Sequence, residues 1–313
     1  MRSKAVLLCL ATSSWLYAEG DVALSGEALF WQANTCGLGF AVENLDSTTT
    51  ITRGHLKEPD FNWNVGFRAG LDYKLPHDNW DLQAQYTYLP STAHKEASAP
   101  QNGALFPVWL VPQDPAVYAT HGKAHWSCNL NMGDLELGRV CRAGKRVSIR
   151  PHMGVRGGTI QQNYHINYRG GTVVSDHVKM SNDFWGIGLR FGFNSLWGFG
   201  KGISLYADGA GSLLSGHFHV HQREDFQGST LTRIRNSFSQ LVPIAEIALG
   251  LQWDTKFHAD RQQLGIKLGW EMQYYWDQGR LIRFLSSTSI GSFSSNQQDL
   301  SYMGVTLGLR WDF

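Results

Sequence analysis

The sequence predicts an all-β fold: a transmembrane antiparallel β-barrel of the outer-membrane type, with about ten strands. Three observations predict it. Apolar residues recur at every second position over most of the chain. The connections between these segments alternate between short and long. The last segment, Ser301 to Phe313, ends on a phenylalanine after Thr306-x-Gly308-x-x-Trp311. Side chains of a strand alternate faces, so each such segment has one apolar and one polar face. About ten residues let a tilted strand cross a bilayer.

Taken in order, Met1–Lys4 is basic and Ala5–Leu16 largely apolar, the pattern of a secretory signal peptide over 1–18. It is too short for a membrane helix, and residues 19–313 then form a single barrel domain. Val22 to Phe30 is the first strand. Phe61 to Tyr73 and Trp80 to Tyr88 pair across a tight turn. Trp126, Cys128, Leu130 and Met132 share one phase, whereas Leu135 and Leu137 take the other. A β-bulge at Gly133 is the expected cause. Val147 to Val155 contains Pro151, which lacks an amide hydrogen and is expected at a bulge or distorted pair. Trp185–Phe193 with Ile203–Leu213, Leu241–Trp253 with Leu264–Trp276, and Met303–Phe313 complete ten strands.

The connections near 74–79, 138–146, 194–202 and 254–262 are short; those near 33–60, 91–122, 157–183, 214–240 and 277–300 are long and polar. Short periplasmic turns with long external loops put both termini in the periplasm. Strand-like pieces at Gly37–Glu43, Thr159–Tyr168 and Gly216–His221 either extend hairpins above the membrane or add strands, which leaves twelve or fourteen strands open.

A net charge of +1 lacks a nucleic-acid footprint. Past the leader, Cys36, Cys128 and Cys141 form an odd set, and Cys141, in a periplasmic turn, is a candidate for an intermolecular disulfide with a periplasmic partner or neighbour. A reduced thiol is the plainer alternative. Nucleophile-elbow, zinc-protease and Cys-x-x-Cys motifs are absent, so no catalytic residue, metal or cofactor is expected. His217-x-His219-x-His221 has metal-ligand spacing, but an exposed strand explains it as well.

The expected inward face is charged. Arg68, Asp72, Arg150, Arg156, Arg190, Asp208, Glu246, Lys267, Glu271 and Arg310 are the candidate pore-lining residues, with Glu27, Asp81, Asp134, Glu136 and Asp312 on the same face. Buried charges need partners or water, so the choice lies between an interior ion-pair network and a water-filled passage. Inward glycines such as Gly66, Gly186, Gly269 and Gly304 are expected to leave space for the passage. Trp31, Trp63, Trp126, Trp185 and Trp270 are among the candidates for aromatic girdles at the membrane boundaries.

Several stretches resemble a known family. Ser25-Gly-Glu-Ala-Leu-Phe-Trp-Gln-Ala33 with Gly37-Leu-Gly-Phe-Ala41, then Trp63 to Leu82, Asp134 to Arg139, Arg150 to Arg156 and Asn182 to Arg190, are similar to the Legionella-type pore-forming major outer-membrane proteins. This MOMP-like family is also expanded in Chlamydia-like bacteria. The resemblance spans nearly all of the chain after the leader, and the long loops fall outside it. It implies an abundant barrel that forms pores, with roles in diffusion and sometimes host contact.

The expected function is therefore a porin-like outer-membrane channel for ions and small hydrophilic solutes. The alternatives are a structural or adhesive surface barrel with a plugged lumen and, less favoured, a barrel hydrolase. Expected partners are outer-membrane lipid, lipopolysaccharide, and the barrel insertion machinery reading Thr306, Gly308, Trp311 and Phe313.

Overall fold

The computed structural model describes residues 22–45, 54–76, 78–111, 117–257, 262–284 and 293–313. The expected leader over 1–18 lies outside the described residues. Ten long strands form the wall: β1 (Val22–Thr35), β2 (Trp63–Lys74), β3 (Trp80–Ser98), β4 (His121–Arg139), β5 (Val147–Gly170), β6 (Val174–Gly200), β7 (Ile203–Phe226), β8 (Ser229–Phe257), β9 (Gln262–Phe284) and β10 (Phe293–Asp312). Each pairs antiparallel with the next, and β10 returns to β1 from Ala23↔Asp312 to Thr35↔Leu300. Closure leaves no free edge in the spanning region, which hydrocarbon would not tolerate. The ten-strand expectation holds.

The end carrying the termini and the short turns is called the near end here, and the opposite end the far end. Near-end turns are tight: Lys201 and Gly202 (φ 55° and 79°) join β6 to β7 in two residues, the twist-matched hairpin geometry. At the far end, the long connections expected over 157–183 and 214–240 are mostly strand. β5 and β6 pair as far as Gly170↔Val174, and β7 turns into β8 through Gln227 and Gly228 (φ 48° and 82°). They are hairpins rising beyond the membrane band.

β4 corrects the expected bulge. Its pairing with β3 and β5 runs through Gly133 without a register shift. Inward positions stay even-numbered throughout: Trp126, Cys128, Leu130 and Met132 are buried inside, and so are Asp134 and Glu136. The apolar phase changes because the interior changes. Toward the near end the barrel holds charges and Leu135 and Leu137 face outward; toward the far end it holds an apolar core and His125 and Ser127 face outward. The inversion recurs on β5, where Met153 and Val155 point out but Ile160, Tyr164 and Ile166 point in. It recurs on β6, with Trp185, Ile187 and Leu189 outside and Val178, Met180 and Phe184 inside.

Pro151 lies in a distorted pair, as expected. The β4–β5 ladder is interrupted between His152↔Gly138 and Ile149↔Cys141, with no shift of register. Pro243 marks a second irregularity. β8 pairs with β9 only as far as Ile244↔Tyr275, and beyond it β8 keeps β7 alone. The β9–β10 pairing slips between Tyr275 and Gly279, and the Gln278 carbonyl accepts hydrogen bonds from Gln162 of β5 (3.3 Å) and Asn182 of β6 (2.8 Å). The far end of β9 thus leans inward across the barrel.

Candidate functional site: a charged chamber beneath an apolar plug

The ten candidate wall residues come together. Arg68, Asp72, Arg150, Arg156, Arg190, Asp208, Glu246, Lys267, Glu271 and Arg310 all line one polar cavity of about 140 Å³ in the near half of the barrel. None of the six cations is free. Arg68 bridges Glu27 and Glu271, at 2.7 Å each, and donates from Nε to Thr87. Arg156 grips Asp134 through two nitrogens (2.6 and 2.7 Å) and also reaches Glu246. Arg190 joins Glu246 (2.6 Å) to Glu136 (2.7 Å), and Arg150 joins Glu136 to Asp81. Lys267 sits 3.5 Å from both Glu27 and Asp208, with its ammonium over the Tyr206 ring. Arg310 holds Asp72 and Asp312. Such pairing supplies in advance the counter-charges that desolvation requires.

Sequence reasoning placed these residues on the right face but missed their link to the plug. Trp31 Nε1 donates to Thr306 Oγ1 (3.1 Å), and Thr306 donates to Glu271 (3.3 Å), while the Arg68 guanidinium stacks on the Trp31 ring. Trp31 and Trp126 are fully buried inside the barrel, so they are not girdle residues. Trp63, Trp185 and Trp270 do face outward. The side chain of Trp31 could not be oriented from its own strand, because Phe30 beside it is as apolar.

Above the chamber the interior is apolar. Leu29, Trp31, Leu89, Trp126, Leu130, Ile160, Tyr164, Tyr168, Phe184, Phe218, Tyr275 and Tyr302 form one buried cluster. Two far-end connections enter it. Leu38 and Phe40 come from the first, Leu105, Trp109 and Leu110 from the second. Ala41–Asn44, Gly54–Lys57 and Ala104–Pro107 tie them into a small three-stranded sheet. Trp109 Nε1 donates to the Gly39 carbonyl (2.8 Å), and the Tyr164 and Tyr168 hydroxyls donate to the carbonyls of Leu38 and Phe40.

Several inward glycines leave no opening here; neighbouring side chains, most of them rings, fill the space. Gly158, Gly186 and Gly216 face one another across β5, β6 and β7. Phe184 lies over two of them, so that a Cβ on Gly186 would come within 2.6 Å of its ring and one on Gly216 would overlap it. Trp31 covers Gly304 (2.9 Å from a built Cβ), Leu89 covers Gly66 (2.7 Å) and Tyr206 covers Gly250 (2.7 Å).

One titratable cluster sits at the far end. Asp176 of β6 and Glu224 of β7 are fully buried, and the Val111 amide donates to Glu224 (3.1 Å). Burial first, then the charge of Glu224, pushes Asp176 up to about 7. Burial likewise pushes Glu224 up to about 7, against the pull of the Val111 amide.

Among the other candidates, Trp311 and Phe313 face outward at the near end, and Thr306 and Gly308 inward. Cys36 is exposed, Cys141 half-buried and Cys128 buried against the Tyr302 hydroxyl; none of the three is in a disulfide. His217, His219 and His221 point outward, with the first two rings 4.7 Å apart, and no metal-ligand cluster occurs among the described residues.

A closed antiparallel barrel with an outward apolar band and a charged interior is an outer-membrane β-barrel. The chain belongs to the family of the Legionella pneumophila major outer membrane protein precursor, whose family pattern matches residues 18–313. No curated protein sequence matches the chain. Among solved structures it is similar to the outer membrane protease OmpT of Escherichia coli, at 9% identity and a TM-score of 0.39, over 93% of this chain and 96% of that one. It is also similar to a Pseudomonas aeruginosa FadL homologue (9%, TM-score 0.35, 96% and 91% covered). The toluene transporter TodX of P. putida is a third (8%, TM-score 0.33, 95% and 91% covered).

Proposed function

We propose that this outer-membrane barrel is a surface-presenting protein with a shut lumen, its far-end hairpins outside the cell and both termini in the periplasm. The observation that carries this reading is the apolar plug: Trp31, Trp126, Tyr164, Trp109 and Tyr302 fill the cross-section above the charged chamber. An ion crossing it would have to shed its water among hydrocarbon and aromatic rings, a cost of many kcal/mol. In this reading the outward-facing Trp311 and Phe313 are what the insertion machinery recognises, and Cys141, at the periplasmic rim, forms an intermolecular bridge.

A gated passage for ions and small hydrophilic solutes is the second reading. The Asp176–Glu224 pair favours it, because it holds the plug-bearing connection through Val111 and changes charge near neutral pH. Planar-bilayer recording of the purified chain tests both. The shut barrel gives no unitary conductance between pH 5 and pH 8. The gated barrel stays silent at pH 5 and opens at pH 8. Steady conductance at both values contradicts both readings and restores the open diffusion channel.

A further inference from the structure

Beyond the lipid-facing band, the outer wall of β5–β8 carries a groove of about 270 Å³ with a cationic rim. The register stacks the charges. His165 lies opposite Lys179, Lys179 opposite Arg223, and Arg223 opposite Arg233. One outward row nearer the membrane, Ser181 lies opposite His221, and His221 opposite Arg235. Like charges directly opposite one another destabilise a sheet. Arg223 is relieved by Asp225 at 2.9 Å, a carboxylate that also accepts from Thr230. Among the described residues, Lys179, Arg233 and Arg235 are in no ion pair, although the Asp225 carboxylate also feels the Lys179 ammonium. Asp183, lower on β6, lies opposite His219 rather than in this row. His165 registers the excess: partial burial first, then the Lys179 ammonium and His125, hold its pKa below the usual histidine range.

The height of the groove selects the ligand. Lys179 and Arg235 each lie six residues beyond Trp185 and Leu241, where the continuous outward apolar band of their strands ends; Leu231, at the hairpin tip, is exposed farther out. At about 3.3 Å per residue and a strand tilt of roughly 40°, that is about 15 Å above the aromatic boundary. A glycerophospholipid phosphate lies within an interfacial layer only about 5–8 Å deep and falls short. The sugar head of a glycolipid reaches this height and carries phosphate esters that arginine recognises bidentately. Its acyl chains would lie along Trp185, Ile187 and Leu213, which are exposed directly below.

We propose that the groove between Lys179, Arg233 and Arg235 binds the phosphorylated sugar head of an outer-leaflet glycolipid. The inference rests on the proposed orientation, with the far end outside. Its occupant is chemically distinct from anything the chamber would hold.

The test uses the full chain in detergent micelles. The probe is a glycolipid that carries phosphate esters on its inner-core oligosaccharide, compared with the same glycolipid after phosphatase treatment. The expected result is binding at least tenfold tighter for the phosphorylated form. The combined variant Lys179→Gln, Arg233→Gln and Arg235→Gln is expected to bind both forms equally. These side chains are exposed, and heat-modifiable migration on gels reports that the variant barrel is folded. Equal binding of the two glycolipids by the unaltered chain overturns the proposal. So does an unchanged preference in the variant, or equal competition by inorganic pyrophosphate or phosphatidylglycerol micelles. Detergent binding is read whichever way the barrel faces. Labelling of Gln227→Cys on intact cells reports orientation alone, so the two ideas fail separately.

Discussion

Arg156 shows why the chamber tolerates so many charges. Its guanidinium is almost fully buried, yet it faces Asp134 on the neighbouring strand and Glu246 from β8. Removing one partner of such a set leaves the other charges uncompensated, at about 3–5 kcal/mol. Arg156→Ala is therefore expected to lower the unfolding free energy of the barrel in lipid vesicles, read by urea titration, by that amount, whereas Lys145→Ala, on an exposed turn, leaves it unchanged. The residues themselves were legible in the sequence, because alternation alone put Arg156 and Glu246 on the inner face. Their partnership was not. Strands β5 and β8 are not neighbours, and only closure of the wall brings their side chains together across the barrel. A second prediction belongs at this scale. Gly216→Ala puts a methyl group into the Phe184 ring, and overpacking of this kind costs about 1–3 kcal/mol. Phe184→Leu in the same chain should recover part of the loss, and a double-mutant cycle on vesicle unfolding reads it.

At the scale of elements, β4 carries the main lesson. Its two apolar phases, Trp126 to Met132 and Leu135 to Leu137, were visible in the sequence, but a change of phase has two physical causes. Either the strand slips by one residue, or the polarity of its surroundings inverts. Pairing shows the second, with the ladder unbroken across Gly133. The same pattern on β5, where Val155 and Ile160 fall on opposite phases, was available and could have separated the two, since a bulge would not recur at one height on several strands. The far-end hairpins were one of two readings of Thr159–Tyr168 and Gly216–His221, and their full extent was hidden for a different reason. Gln227-Gly228 lacks the Asn-Gly signature of a two-residue turn, and the flanking strands are polar on the outside, as loops are.

The connection containing Trp109 makes a pH prediction. Carboxyl groups in unfolded or open chains ionise near 4, whereas Asp176 and Glu224 do so at about 7 in the closed plug. Raised acid values mean that closure favours the protonated forms. Their contribution is complete below about pH 4 and is lost as the pH rises through 7. Among the described residues neither group is in an ion pair, and the charges that act on Asp176, those of Glu224 and then Asp225, are of like sign. Hydrogen exchange in 104–111, corrected for its intrinsic pH dependence, is expected to lose protection between pH 5 and pH 8. Asp176→Asn with Glu224→Gln should flatten that loss; protection that falls equally in the variant would sever the link to this pair.

For the whole molecule, the outer surface divides into two zones. A band bearing Phe67, Ile187, Leu249, Leu268 and Leu309 exposes far more contiguous apolar surface than water permits, and lipid is what covers it. Beyond Trp185 and Leu241 the outside turns polar and the apolar residues move inward. The barrel thus resembles two stacked proteins, a membrane barrel with a charged interior and a water-facing barrel with an ordinary core. Composition alone could not separate them, because the two halves average to a slightly polar chain. This inversion is the claim on which the shut lumen depends.

Thiol accessibility measures it most directly. In a chain with Cys36, Cys128 and Cys141 replaced by serine, single cysteines at Ile166, Asn167 and Ile187 are compared for reaction with a membrane-impermeant maleimide in lipid vesicles at pH 6.5. The account predicts rapid reaction at Asn167→Cys alone, with Ile166→Cys shielded by the plug and Ile187→Cys by lipid. Reaction at Ile166→Cys as fast as at Asn167→Cys would mean that water fills the far end of the barrel, and the closed interior would be contradicted.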